Sequence, residues 1–232
     1  MKNPIFERLD IIGAILRLKE FPTLMEILGP QWLEMEYKKK ESEYSLLMGW
    51  ISLKEPTFIA NLSSLEEVIT NILPIVNQNV KQKIISKLSS YTDRANIKGT
   101  ISEIALINYL IQNKISFGYE VSITNDNKNV DFQIDLGGDL PIYIELARVA
   151  EPDSHKRANL VASSSCAVIP LFTEKDWYHL FNKIYDKIPK LTKEHVTFIA
   201  LDLTDIEYMG GPNLAPIRSL AREIFTGSHL EK

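Results

Sequence analysis

Glu103, Asp131 and Glu145 are the residues whose types and spacing point most directly to chemistry. Glu103 stands in the run Lys98-Gly99-Thr100-Ile101-Ser102-Glu103-Ile104-Ala105-Leu106, which reads as the opening of an apolar helix. Asp131 stands in Asn129-Val130-Asp131-Phe132-Gln133-Ile134-Asp135, and Glu145 in Ile142-Tyr143-Ile144-Glu145-Leu146-Ala147-Arg148. A glutamate on a helix, with an aspartate and a glutamate on two hairpin strands, can hold a hard divalent cation, because such ions take oxygen ligands. With no paired His or Cys nearby, the donor set favours Mg²⁺ or Mn²⁺ over zinc.

The hairpin that must position two of these acids is written in alternation. Val130, Phe132, Ile134 and Leu136 alternate with Asp131, Gln133 and Asp135, and Ile142, Ile144 and Leu146 alternate with Tyr143, Glu145 and Ala147. Successive side chains point to opposite faces, so the aliphatic sets share one face and Asp131 and Glu145 share the other. Gly137-Gly138-Asp139 is a turn signal. A loop over 137–140 pairs residue 136 with 141 and sets Asp131 opposite residue 146, with Glu145 its near neighbour at about 5–8 Å. Two carboxylates that close repel unless a cation or a proton lies between them.

Plainer explanations compete for each acid. Polar residues on one hairpin face are commonly solvent-facing. Thr100-Ile101-Ser102-Glu103 also has the form of a capping box, in which Glu103 returns to the backbone of Thr100. Against that, Glu103 lies three, four and seven residues before Leu106, Ile107 and Leu110. It is thus on a core-facing stripe, where a charge costs free energy unless paired or bound to metal.

The remaining elements frame these residues. Residues 1–95 read as a helical region, with Phe6, Leu9, Ile12, Ile15 and Leu16 at helical spacing, then Leu24, Ile27 and Leu28 after Pro22. Ser63-Ser64-Leu65-Glu66 has the pattern of a capped helix start, Pro74 interrupts that helix or sits in the turn after it, and a further helix carries Val80, Ile84, Ile85 and Leu88. From about residue 96 the texture is that of an α/β domain. A helix over 101–113 precedes strands at 117–124, 129–136 and 141–148. A helix from about 173 carries Trp177, Leu180, Phe181, Ile184 and Ile188. A buried strand at 196–203 follows, and a last short helix at 214–225. This order, helix, three strands, helix, strand, implies a mixed sheet.

With these elements in view, the segment 98–204 resembles the core of the PD-(D/E)XK nuclease superfamily, the restriction-endonuclease-like fold. Position by position, Glu103 matches the family's helix glutamate, Asp131 its strand aspartate, and Glu145 the acid of its acidic-x-lysine motif. The resemblance implies phosphodiester hydrolysis, with DNA the expected substrate, and catalytic roles for Glu103, Asp131 and Glu145. It implies Mg²⁺ or Mn²⁺ bound by Asp131, Glu145 and the Leu146 backbone carbonyl, with Glu103 ligating directly or through water. Such a cation acidifies its bound water. The departure is Ala147, where the family carries the lysine that orients or activates the attacking water. Lys98, Lys128 and Lys156 are candidate replacements, and Arg148 falls on the opposite face. The alternative is a nuclease-like fold without catalysis, acting as a nucleic-acid or protein interaction module. Arg148, Lys156 and Arg157 in the loop after the third strand are the candidate nucleic-acid contacts, with His155 beside them.

Bulk properties narrow the classes further. A chain of 232 residues with 45% hydrophobic and 24% charged residues has the composition of a soluble globular protein. Its net charge of −4 argues against a surface that binds nucleic acid as a whole, though not against a local basic groove. The single cysteine, Cys166, excludes an intrachain disulfide framework and fits a cytoplasmic protein. The apolar run Ile11–Leu16 is too short to span a membrane. Asn61-Leu62-Ser63 is a chance match to a glycosylation acceptor, and Lys38-Lys39-Lys40 reads as a solvated helix face. Tyr178 and His179 read as structural. Nothing forms a Ser-His-Asp set, a zinc-ligand spacing or a phosphate-cradling loop, since no Lys-Ser/Thr follows Gly210-Gly211-Pro212. The helices of 1–95 are read as a substrate-positioning region or a surface for homo-oligomerisation.

Overall fold

The computed structural model describes residues 7–40, 43–54, 56–90, 94–122, 129–135, 137, 141–148, 182, 187 and 196–202. Ten elements follow in order. The helices are α1 Ile11–Lys19, α2 Pro22–Tyr37, α3 Leu46–Ser52, α4 Pro56–Ile72, α5 Gln78–Ser90 and α6 Arg94–Gln112. The strands are β1 Ser116–Ser122, β2 Asn129–Asp135, β3 Ile142–Arg148 and β4 Val196–Asp202. The class is mixed α/β, with a helical N-terminal region ahead of a four-stranded mixed sheet in the order β1-β2-β3-β4. Among the described residues no helix is long and apolar enough to cross a membrane.

The chain divides into two compact units. One comprises 1–146 with 187–200, and the other 147–186 with 201–232. The first holds the six helices named above, and one hydrophobic cluster runs through it from Ala14 and Leu18, through Leu62, Ile69 and Ile84, to Ile107, Tyr119, Phe132 and Ile134. The second unit lies almost wholly outside the described residues, as do the expected helices at 173–190 and 214–225, apart from Asn182 and Lys187.

Local sequence explains how the helices start. Asp10 caps α1 by accepting from Gly13 N at 2.7 Å, and Ser45 caps α3 by accepting from Met48 N at 3.2 Å. The exposed donors of the α2 start go instead to a side chain from another helix. Glu66 of α4 accepts from Thr23 N at 2.7 Å and Leu24 N at 2.9 Å, which ties the two helices together.

Two expected helix starts are corrected. α4 begins at Pro56, so Ser63 is an interior residue whose hydroxyl donates to Ile59 O at 2.9 Å. α6 begins at Arg94, so Thr100 is interior too, and its hydroxyl donates to Asn96 O at 3.0 Å. The pattern of hydroxyl then glutamate also occurs mid-helix, where the hydroxyl bonds back to the carbonyl four residues earlier. The capping-box explanation of Glu103 therefore falls. Pro74 sits in the turn after α4.

The hairpin register is also corrected, by one residue. Ile134 pairs with Ile142, Gln133 with Tyr143 and Phe132 with Ile144, and the same register sets Asp131 opposite Glu145 rather than residue 146. The reason is the alternation itself. Pairing 136 with 141 would set Ile134 beside Tyr143 and mix the two faces, whereas the observed register matches aliphatic with aliphatic. Packing of the apolar face therefore overrides the shortest loop.

Candidate active site

Asp131 and Glu145 project from β2 and β3 on the face away from α6. That helix packs its Ile104, Ile107 and Leu110 into the cluster that contains Phe132 and Ile134, with Ile142 and Ile144 against it. The face carrying Glu145 is not a solvent face. Tyr143, Glu145 and Ala147 are all buried, and Glu145 is 0% exposed, so the solvent-facing explanation fails for this residue. A carboxylate so buried requires a partner. It has one in Lys187, whose Nζ lies 2.5 Å from Glu145 Oε1. The Lys187 side chain remains 25% exposed, so the pair joins a buried acid to a group that reaches solvent.

Asp131 is held differently. Its Oδ2 accepts from Leu146 N at 2.7 Å. Burial pushes its pKa up, and the charges of Glu145 and Glu103 add to that, while the Leu146 N–H and Lys187 oppose it. The carboxylate is thus crowded by negative charge that one ammonium does not fully offset.

Glu103 belongs to a second cluster, on the α6 side of the sheet. Its Oε2 accepts from Lys87 Nζ of α5 at 2.6 Å and from the Tyr119 hydroxyl of β1. Lys87 Nζ also meets Glu120 Oε1 at 2.7 Å and donates to the Tyr119 hydroxyl oxygen at 2.8 Å. Lys83, one turn earlier on α5, meets Glu120 Oε2 at 3.1 Å. Glu120 adopts φ +50°, in the left-handed region that non-glycine residues seldom occupy. Its two lysine partners supply interactions that offset such strain.

The protonation states of this cluster follow from its contacts. Burial opposes the charge on Lys87, but its bonds to Glu103 and Glu120 outweigh burial and hold its pKa above the ordinary lysine value. Burial likewise works against charge on Glu120, but bonds from Lys87 and Lys83 keep it below the ordinary glutamate value. Burial, with the charge and hydrogen bond of Glu103, drives the Tyr119 hydroxyl well above the usual phenol range. Tyr119 is therefore a fixed neutral donor.

The structure brings Asp131 and Glu145 together, while Glu103 is engaged by Lys87 and Tyr119 and acts on Asp131 through its charge. Among the described residues, no three His, Cys, Asp or Glu side chains lie close enough to hold a metal ion. Two cross-strand carboxylates still suit Mg²⁺, which takes one or two protein carboxylates and completes its shell from water and phosphate. The excess negative charge at Asp131 is what such an ion would relieve.

Lys187 is absent from the replacements for the missing lysine considered from sequence. Lys128 and Lys156 lie outside the described residues, as does Arg157, and Arg148 closes β3 with its side chain likewise outside them. Lys98 is an interior residue of α6. A signal for Lys187 was nonetheless present. It follows Leu180 by seven residues and Ile184 by three, and so lies at helical spacing with the apolar residues Trp177, Leu180, Phe181, Ile184 and Ile188. No family model, curated protein or solved structure matches the chain.

Proposed function

We propose that this protein is a Mg²⁺- or Mn²⁺-dependent nuclease that hydrolyses phosphodiester bonds, with DNA as its substrate. The observation that carries the reading is the Lys187–Glu145 pair at 2.5 Å. The PD-(D/E)XK resemblance requires a lysine beside the third-strand acid. Alanine stands where the local motif would put it, and a lysine from elsewhere in the chain meets that acid directly. An ammonium has three N–H donors, and one of them serves Glu145. The others are left for the phosphate or the attacking water.

Asp131 and Glu145 are the residues that would hold the cation, with the Leu146 carbonyl beside them. Bound there, the ion supplies a more acidic water and offsets charge at the phosphate. Glu145, buried and anchored by Lys187, fixes the position of that ammonium. The Leu146 N–H keeps Asp131 oriented. Arg148, Lys156 and Arg157 are the proposed phosphate contacts along the substrate.

The test is to incubate the purified chain with plasmid, single-stranded DNA and RNA, in Mg²⁺, in Mn²⁺ and in chelator. Cleavage of DNA that is lost in chelator and in Asp131→Ala, Glu145→Ala and Lys187→Met supports the reading. Metal-dependent cleavage unaffected by Lys187→Met removes the role given to Lys187. A second reading, a nucleic-acid-binding module without catalysis, is favoured by the engagement of Glu103 with Lys87 and Tyr119. DNA binding without cleavage under any of these conditions selects it.

A further inference from the structure

Lys87 sits where a cation belongs. Its Nζ has three oxygen neighbours, Glu103 Oε2 at 2.6 Å, Glu120 Oε1 at 2.7 Å and the Tyr119 hydroxyl at 2.8 Å. Two carboxylates and a phenol, drawn from α6 and β1, form the kind of hard-oxygen set that takes Mg²⁺ or Mn²⁺. The ammonium uses its three N–H donors on those three oxygens, and its side chain is only 17% exposed. We infer that Lys87 is a built-in substitute for a metal ion at Glu103. The protein then takes its divalent ion at Asp131 and Glu145 alone, and Glu103, which the resemblance makes a metal ligand, belongs to a separate, ammonium-filled site.

The charges agree with this assignment. Around Lys87 two carboxylates meet two ammonium groups, counting Lys83, so a further cation there gains little. Removing the Lys87 charge leaves Glu103 and Glu120 facing each other across the vacated position. Like-charged carboxylates at such range take up a proton or a cation. The inference rests on the proposed metal dependence only for the ion at Asp131 and Glu145, since the site at Lys87 can be tested by itself.

The experiment is a Mn²⁺ titration of the full chain by calorimetry, with the bound ion followed by electron paramagnetic resonance. Wild type is expected to bind one ion, Lys87→Met to bind two, and Lys87→Met combined with Glu103→Gln to bind one again. Glu103→Gln alone is expected to keep the wild-type affinity to within about twofold, whereas Asp131→Asn weakens it by tenfold or more. A Lys87→Met protein that binds no more Mn²⁺ than wild type overturns the inference, as does a Glu103→Gln protein weakened as far as Asp131→Asn. If wild type binds no ion, the metal-dependent reading fails, yet one ion gained by Lys87→Met still supports the substitution described here. Should Lys87→Met be unfolded without metal, recovery of its helical circular dichroism on adding Mn²⁺ supports the inference, and failure to recover overturns it.

Discussion

On the α6 side of the sheet, Lys83 and Lys87 meet Glu103 and Glu120, two ammonium groups for two carboxylates. On β2 and β3, Lys187 meets Glu145, and Asp131 stands beside them held by a backbone N–H. The first cluster is balanced, ties α5 and α6 to β1, and has the charge pattern of a structural junction. In the second, among the described residues, two carboxylates meet one ammonium, and burial together with the charge of Glu145 raises the Asp131 pKa. Two groups of acids that sequence spacing presents as one set are therefore doing different work. The proposed cation is assigned to the pair at Asp131 and Glu145, where an aspartate pKa is raised, because a perturbed carboxylate pair is the commoner mark of a binding site than a fully paired junction.

The largest expected effect comes from cutting the second cluster at Lys187. Lys187→Met leaves Glu145 fully buried and without its ammonium, and breaking a buried pair in this way costs about 3–5 kcal/mol. Urea denaturation is expected to show a loss of that order, with the proposed cleavage gone at temperatures where the variant is still folded. A loss of less than about 1 kcal/mol would mean that the pair is a surface-type contact and would remove the basis for the contrast.

The next effect separates chemistry from stability at Asp131. Asp131→Asn keeps an oxygen for Leu146 N and removes the crowded charge, so the proposed cleavage is expected to fall by about 10²-fold or more while the fold survives. The sign for stability is opposite to that of Lys187→Met. Because the folded pKa of Asp131 lies above its ordinary value of 3.8, the native state holds the proton more tightly than the unfolded chain. Stability is therefore lost as pH rises through that window, and the cost is fully present above the folded value. Asp131→Asn should melt a few degrees higher than wild type at neutral pH, with the gap closing as pH falls below the ordinary aspartate range. An Asp131→Asn protein that melts lower at neutral pH would argue against excess negative charge at this point.

The smallest effect is expected on the balanced side. Glu120 has a folded pKa below the ordinary value of 4.5, so its contribution to stability is present above that value and is lost as pH falls through the folded one. Lys87, raised above 10.5, contributes below that pH and loses its contribution as pH climbs past its folded value. Glu120→Gln should lower the melting temperature by a few degrees across the neutral range, with the deficit shrinking in acid. A constant deficit down to strongly acidic pH would assign the loss to packing or backbone strain at φ +50° rather than to the lysine pairs.

The elements themselves were legible in the pattern. Three strand candidates fall within about two residues of β1, β2 and β3, and the run 196–203 coincides with β4. Val80, Ile84 and Leu88 mark the buried stripe of α5, because apolar periodicity reports which face a helix buries. Helix starts were misread where a hydroxyl and a glutamate three residues on imitated a cap. Thr100 and Ser63 both bond back within a helix that had begun earlier, and sequence spacing does not separate those two uses of a hydroxyl. The register was misplaced because loop length was weighed above the match of the apolar faces, although the information to choose correctly lay in the alternation of Ile134 and Ile142.

By itself the sequence determined the α/β class, the helical region ahead of the sheet, and the common face of Asp131 and Glu145, all of which follow from periodicities internal to single elements. Only the tertiary structure decided the partners. Lys187 reaches Glu145 across 42 residues of chain, and Lys87 reaches Glu103 across 16. Whether an acid ends beside an ammonium or is left to bind a cation depends on which surfaces pack together, and side-chain periodicity within one segment carries no record of the charge that another segment brings to it.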